Sequence, residues 1–560
     1  MMSEADLQIL QSGTETELEA MLKRFNTANE KVFTFPDLKP EMKEKYVNAL
    51  LNRFEQNLQP ETCIACLQAF RVFSREKTNM DTLTSERSLR LLMKLAGIEY
   101  YAAEPGENVA IQNGNQDVMI EGQKCLCNLI FNSTTAQQFC SKTSCVDGVV
   151  QRLKTYGDPE LKFDVKFYDM RILFLLTALP ACVDTRPRVR YELHGFTYLM
   201  EVLDLTLRAC EEDNRLLSDT EVDLCSEILK ILFNLTVALE KKSADEEEDA
   251  HFMRLVSILR DLLLCRTASK EKKQDLKSHT VNLLINIPTD FYEELLTPLN
   301  ESDICGVENK DIEFDGKNME AIISLLDFLQ SRLDSPMKNV KEKLSPILHC
   351  LVEASRHNRS IRKFCRLRVL PPLRSEVMRL PEEGNSLRNK LCKLLTSPIT
   401  EIKDLVAHFL FILCKENVGR MVKYTGYGNC SGLLAQLGLL KMKEVYNKGD
   451  YSSDSEESDT EEYAELRGKI NPVTGRYEEE KPGPMEGMTD EQKEYEAEEL
   501  LKVMDKLQRQ GVIQPCLVGE DGKPKPVEHV LELLEQGGAS ASSSSANAGP
   551  SSAPDATDTG

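Results

Sequence analysis

Tryptophan is absent from this chain of 560 residues, and Phe and Tyr together number only 35. Leu dominates the apolar residues. Leu favours helices over strands, which argues against an all-β fold. No apolar run reaches the ~18 residues that a membrane helix needs, so no membrane insertion is expected. The opening stretch, MMSEADLQILQSGTETELEA, has neither the charged n-region nor the apolar h-region of a secretory signal, and the expected location is the cytoplasm. Catalytic signatures are missing as well. There is no GxxxxGK[ST], no strand-linked GxGxxG, no HExxH, no GxSxG and no kinase set, so no catalytic residue and no resident nucleotide is expected. The Gly-rich TGYGNCSG at Thr425–Gly432 lacks a following Lys and reads as a helix–helix turn.

A basic surplus is missing too. The net charge is −22, and the stretch from Asp450 to Gly560 carries −16 of it, leaving −6 for residues 1–449. A nearly neutral body with an acidic tail lacks the basic face of a nucleic-acid binder. A basic patch on a partner, or docking of the tail on the body, fits this distribution. The 17 cysteines are ordinary usage, and many of them (Cys66, Cys125, Cys127, Cys225, Cys350 and Cys414) lie in apolar helical stretches. They read as reduced core thiols. The one CxxC, Cys63 and Cys66, has no second pair at zinc spacing, and the seven His are scattered, so neither a metal nor a cofactor is expected.

What the chain has in abundance is helical periodicity. ETCIACLQAFRVFSR, SERSLRLLMKLAGI, MIEGQKCLCNLIFN, CSEILKILFNLTVAL and EIKDLVAHFLFILCKENV space their apolar residues three and four apart. The joints are short and polar, with longer insertions at EPGENVAIQNGNQD, KKSADEEEDA and TPLNESDICGVENKDIEFDG, which read as surface loops. An internal repeat runs through these helices. LCNLIFN, LFNLTVA and LINIP each carry an Asn behind a Leu, at Asn128, Asn234 and Asn286. The first interval is 106 residues, twice 53, and the second is 52. Stepping back 53 from Asn128 reaches Arg75. Armadillo and HEAT units span ~40–47 residues, and a slightly expanded unit matches. The predicted fold is therefore all-α: an armadillo/HEAT-like α-solenoid, a right-handed superhelix over residues 1–440 with roughly eight or nine repeats.

Equivalent positions of stacked units form a row along the concave face. A row of Asn there offers both a donor and an acceptor to the main chain of a bound segment. Arg71 and Arg75 lie one helical turn apart near one end of that row, and two guanidiniums so placed can hold a carboxylate such as a chain terminus. The alternative is that each Asn buttresses its helix and the Arg side chains are solvated.

Beyond residue 440 the pattern changes. Residues 441–488 form an acidic, Ser-rich linker in which Ser453 precedes Glu456 and Ser458 precedes Glu461 at the spacing that an acidophilic casein-kinase-type kinase accepts. Phosphate there adds about −1.5 to −2 charges per site and can pin the tail to Lys or Arg on the body. A merely solubilising linker is the alternative. INPVTGRYEEEKPGPMEG within it reads as a Pro/Gly-punctuated joint. Residues 489–512 are predicted to form one helix with Thr489 as its N-cap, and residues 513–560 a largely disordered tail.

Across KCLCNLIFN, KFYDMRILFLLTAL, EILKILFNLT, VNLLINIP, RLRVLPPLR, NSLRNKLCKLLT, AHFLFILCKENV, KYTGYGN, SGLLAQLGLL, INPVTGR and PMEGMTDEQKEYEA, the chain resembles the synembryn family. Synembryns are cytosolic chaperones and guanine-nucleotide exchange factors of heterotrimeric G-protein α subunits. The resemblance runs to about residue 517, and INPVTGR and VIQP look like the A-type. It implies an armadillo/HEAT solenoid that grips the C-terminal helix of α subunits of the i, q and 12/13 classes, in their GDP-bound or nucleotide-free state. Arg71, Arg75 and Asn128 match family positions that hold the terminal carboxylate of that helix. The family's acidic segment is phosphorylated at two sites. Here YSSDSEESDTEEY is one residue longer, so the first is Ser452 or Ser453, and the second matches Ser458, where the family often has Thr. The resemblance further implies a monomer recruited from the cytoplasm to the cell cortex. A peptide-binding solenoid scaffold without exchange activity is the competing expectation.

Overall fold

Helices begin where the sequence supplies caps. Ser3, Thr14, Ser218, Ser386 and Thr489 each accept a hydrogen bond from the backbone N–H three residues on, and the side chain at that position bonds back to the cap's own N–H. These capping boxes satisfy N–H groups that a helix start otherwise leaves unpaired. The computed structural model describes residues 3–36, 38–99, 114–237, 246–299, 311–336, 338–440, 459–479, 487–519 and 521–527. It separates into two units, Met1–Arg332 and Leu333–Gly560.

The first unit contains α1 (Glu4–Ser12), α2 (Glu15–Ala28), α3 (Pro40–Phe54), α4 (Pro60–Phe73), α5 (Glu86–Leu95), α6 (Gln116–Asn132), α7 (Thr134–Lys142), α8 (Cys145–Arg152), α9 (Phe163–Ala178), the short α10 (Thr185–Pro187), α11 (Gly195–Glu212), α12 (Asp219–Thr236), α13 (Glu246–Leu264), α14 (Lys270–Leu284) and most of α15 (Glu320–Asp334). Helices α2, α4, α6, α9, α12 and α14 form a continuous row, each lying against the next. Between these layers Leu126, Leu129, Leu173, Leu176, Leu229, Leu232, Leu283 and Leu284 are fully buried. Each such Leu contributes about 1.5–3 kcal/mol. Neighbours in the other row, such as α3 with α5 and α5 with α7, meet far less extensively. The α2–α14 row is the more closely packed of the two and is called the inner row. This is the armadillo-like solenoid the repeat predicts.

One polar knot is sealed inside it. Arg152, the last residue of α8, donates from Nε and Nη2 to the two carboxylate oxygens of Asp169 on α9, at 2.7 and 2.5 Å. Its Nη1 reaches the carbonyls of Ala96 and Gly97, while Tyr156 and Gln123 complete the carboxylate's partners.

The second unit contains α16 (Val340–His357), α17 (Arg359–Val369), α18 (Leu387–Leu394), α19 (Thr400–Leu413), α20 (Val418–Thr425), α21 (Tyr427–Leu437), α22 (Glu461–Leu466) and α23 (Asp490–Arg509). Two neighbouring segments differ from the sequence reading. TGYGNCSG is mostly helix: only Gly426, at φ +75, turns the chain, and α21 starts at Tyr427. INPVTGRY is a β-hairpin, β4 (Ile470–Asn471) against β5 (Arg476–Tyr477), and not a loose joint. The two facts share a cause. Pro472 and Val473 present carbonyls to the N–H groups of Tyr427 and Gly428, both at 2.9 Å, so the hairpin caps the helix. A Cβ at Gly426 would lie 2.9 Å from the Thr474 backbone, which is why glycine occupies the turn. The hairpin's stem is also fastened. Lys423 pairs with Asp459 and sits 4.6 Å from the centre of the Tyr463 ring, and the Thr460 hydroxyl donates to the Leu373 carbonyl.

In the first unit, the described ends of the TPLNESDICGVENKDIEFDG insertion likewise form strands, β1 (Thr297–Pro298) and β2 (Glu313–Phe314) flanking β3 (Lys317–Asn318). Near the chain's end Cys516–Val518 pairs with Pro524–Pro526, a hairpin in a stretch read as tail. Helix α23 starts at its Thr489 cap as predicted. Ser452, Ser453 and Ser458 lie outside the described residues. Among the described residues no helix is long and apolar enough to cross a membrane.

Candidate functional site

The inner row carries the repeat's polar residues at its rungs. The Asn128 side chain on α6 donates to the Ser74 hydroxyl at the end of α4, at 3.1 Å. Asn234 on α12 donates to the Thr177 hydroxyl on α9, also at 3.1 Å. Asn286, just past α14, donates to the Thr236 hydroxyl and the Phe233 carbonyl of α12, both at 3.2 Å. Each Asn thus ties its layer to the preceding inner helix, a buttress between helices and not within one. All three are half-buried, and their carbonyl oxygens accept no hydrogen bond among the described residues. An amide spent on the scaffold and an oxygen left over is a natural acceptor site for a backbone N–H.

The two arginines take different partners. Arg71, in the last turn of α4, sends Nε to Glu121 Oε2 on α6 at 3.1 Å, while Lys124 holds Oε1 of the same carboxylate at 2.7 Å. Both terminal nitrogens of Arg71 are without a partner among the described residues, and the side chain is 29% exposed. That leaves a guanidinium fork for a planar anion. Arg75 lies beyond α4, after the C-cap Ser74. Its Nη1 reaches back to the carbonyls of Asn29, Glu30 and Val32 at the end of α2, at 3.0, 2.9 and 2.9 Å, and the guanidinium sits 5.5 Å from the centre of the exposed Phe33 ring. Burial, and then the neighbouring Arg71 charge, push Arg75 below its ordinary pKa, the mark of two cations sharing a small space. The structure therefore places Arg71 and Asn128 where α4 and α6 meet, while the Arg75 guanidinium turns to the chain after α2, near enough to feel the Arg71 charge, and Asn234 and Asn286 stand on later rungs of the same row.

Among the described residues no group of three or more His, Cys, Asp or Glu is placed to hold a metal ion. Burial raises the thiols of Cys63 to about 11 and Cys66 to about 12, so this CxxC carries no thiolate at neutral pH.

Residues 66–523 match the sequence model of the family described as guanine nucleotide exchange factor synembryn. The chain belongs to the synembryn family. Relatives within it include the chaperone Ric-8A of Gallus gallus, 42% identical over 532 residues and covering 93% of this chain and 95% of that one. The Danio rerio chaperone Ric-8A is 41% identical over 545 residues, with 95% and 96% covered, and the Mus musculus protein is 40% identical, with 90% and 92% covered. These relatives carry the A-type name. Among solved structures, the chain is similar to SYS-1 (11% identity, TM-score 0.42, 71% of this chain and 69% of that) and to a designed armadillo repeat protein bound to the peptide (KR)4 (14%, 0.34, 50% and 100%).

The sequence reading of this synembryn-family chain missed the charged members of the rungs. Glu121, Lys124 and Asn128 recur in the same spacing as Glu227, Lys230 and Asn234. On the second copy Arg171 of α9 reaches Glu227 Oε1 at 3.1 Å, and Lys230 reaches the same oxygen at 2.5 Å. The E-x-x-K-x-x-x-N pattern was available in the sequence. Arg171, contributed by the preceding helix at a different offset from Arg71, was not.

Proposed function

We propose that this protein is a chaperone and nucleotide-releasing factor for heterotrimeric G-protein α subunits, and that its inner row grips their C-terminal helix. The carrying observation is the unspent guanidinium fork of Arg71 beside Asn128 at the α4–α6 junction, with the Arg75 charge close enough to act on Arg71. Two cations and a free amide oxygen there fit a terminal carboxylate and the adjacent backbone N–H. Membership of an exchange-factor family and likeness to proteins named chaperones support the same reading. An exchange factor needs no catalytic centre of its own, because it changes the affinity of another protein for its nucleotide.

The mechanism is a population shift. An α subunit holds GDP partly through the loop leading into its C-terminal helix. A groove that binds the helix only when it is displaced favours the open state, from which GDP leaves. Inverting a 1:99 population to 99:1 takes about 5.5 kcal/mol of preference, within reach of a carboxylate clamp plus a buried helix face. By linkage, GTP binding weakens the complex and releases the client. The same grip on an incompletely folded α subunit covers apolar surface. Helix α23 extends the reading: its Tyr495, Leu500 and Val503 are exposed, leaving apolar side chains for the client's far side. The i, q and 12/13 classes are the expected clients, and the protein is expected to act as a cytoplasmic monomer recruited to the cell cortex. Phosphorylation of Ser458, and of Ser453 or Ser452, by a casein-kinase-type kinase would fasten the acidic segment to basic residues of the body, next to the Lys423–Asp459 pair.

The test is GDP release from a GDP-loaded i-class α subunit. Acceleration and a stable nucleotide-free complex are expected, and both should disappear with Arg71→Glu plus Arg75→Glu. Peptide capture without acceleration would leave a scaffold instead.

A further inference from the structure

The Arg71 rung is built twice. In the first copy, Arg71 of α4 meets Glu121 of α6, Lys124 holds the same carboxylate, and Asn128 ties α6 to Ser74 of α4. In the second, Arg171 of α9 meets Glu227 of α12, Lys230 holds that carboxylate, and Asn234 ties α12 to Thr177 of α9. The two copies stand on one inner row, with the second displaced by two helices.

They differ in how fully the acid is used. Glu121 gives one oxygen to each cation. Glu227 receives both cations on Oε1, while its Oε2 is sealed away and accepts no hydrogen bond. Arg171 and Lys230 therefore crowd a single oxygen, and, as in the first rung, two cations face one carboxylate. Arg171 is 42% exposed and engages Glu227 through Nη1 alone, so its other N–H donors are free among the described residues. Phe174 lies under both cations, 5.6 Å from Arg171 and 5.1 Å from Lys230, and orients them on one face. The neighbouring His279 of α14 is shifted downward first by burial and then by the Lys230 charge, with Asp275 and Glu227 acting against the shift.

We propose that Arg171 and Lys230 form a second anion subsite, which takes an acidic side chain of the helix bound in the groove. The proposal rests on the reading that this helix ends at Arg71 and Arg75. Inner helices pack about 8–10 Å apart, so the second rung lies roughly 16–20 Å along the row. At 1.5 Å per residue, the acid sits roughly 11–13 residues before the partner's terminal carboxylate. The terminus fixes the end of the helix, and the side-chain acid fixes its rotation and register. Partners lacking an acid there would bind but be selected against.

The experiment uses the full chain and synthetic C-terminal peptides of an i-class α subunit, about 20 residues long, with a free or amidated terminus. Acids near the stated position are replaced singly by the amide. Affinity is read by fluorescence anisotropy for the parent, Lys230→Met, Arg171→Gln, and Arg71→Glu plus Arg75→Glu, each checked for a native melting transition. The expected result is a loss of about tenfold on Lys230→Met or Arg171→Gln with the free-acid peptide. One acid-to-amide peptide should lose affinity for the parent by a similar factor and lose no more on Lys230→Met. Equal binding of every acid-to-amide peptide, with amidation of the terminus still weakening binding, overturns the second subsite and keeps the first. Indifference to amidation and to Arg71→Glu plus Arg75→Glu overturns the underlying groove reading. A loss on Lys230→Met that is the same for every peptide reduces the rung to a scaffold element.

Discussion

Two Arg–carboxylate pairs in the first unit use the same chemistry to different ends. Arg152–Asp169 is 1% and 0% exposed, and carbonyls, a phenol and an amide complete its partners. Arg71–Glu121 lies a few helices away with both terminal nitrogens of its arginine free among the described residues. The first pair has nothing left to give a ligand. The second has donors left over and a route to solvent. The lesson is that an ion pair marks a binding site through what its partners leave unsatisfied, not through its strength.

Breaking the sealed pair should have the largest effect. Arg152→Met strands the Asp169 carboxylate in the core and is expected to cost about 3–5 kcal/mol, read as a fall in the urea unfolding midpoint. The doubly apolar Arg152→Met, Asp169→Leu should recover much of that loss. At the open pair the expectation reverses. Arg71→Gln should cost under about 1 kcal/mol, because Lys124 still holds Glu121 and water reaches the site, while α-subunit peptide affinity falls by about tenfold or more. Comparable destabilisation by both substitutions would erase the distinction.

The smallest effect comes from a third pair, Arg215–Glu221, which doubles as the capping box of α12. Burial works against the Glu221 charge, but bonds from Arg215 and Ser218 bring its pKa from 4.5 to about 2. Its contribution is complete above pH 4.5 and is lost as pH falls toward 2. Arg215→Ala should therefore flatten the acid limb of the stability curve between those values and leave the alkaline side unchanged, as followed by circular dichroism.

The contrast also explains what could be read in advance. Asn128, Asn234 and Asn286 were legible because a solenoid writes its period into the chain, and Arg75 fell at the period's earlier step. Glu121 with Lys124 and Glu227 with Lys230 carried the same signal, since i and i+3 on one helix are always neighbours. Arg171 did not. It sits six residues before its rung's Thr177, whereas Arg71 sits three before Ser74, and only packing brings both to equivalent acids. The INPVTGR hairpin was missed for a related reason. Its two short strands gain their stability from α20 and α21, so local composition resembled a linker.

By itself the sequence determined the helices, their caps and their stacking. Periodic Leu and the 53-residue step leave each unit with an apolar face that only its neighbours can cover. Tertiary structure alone decided which charges are spent and which remain. Whether a guanidinium is sealed like Arg152 or keeps free donors like Arg71 depends on the partners and the water that neighbouring helices bring to it.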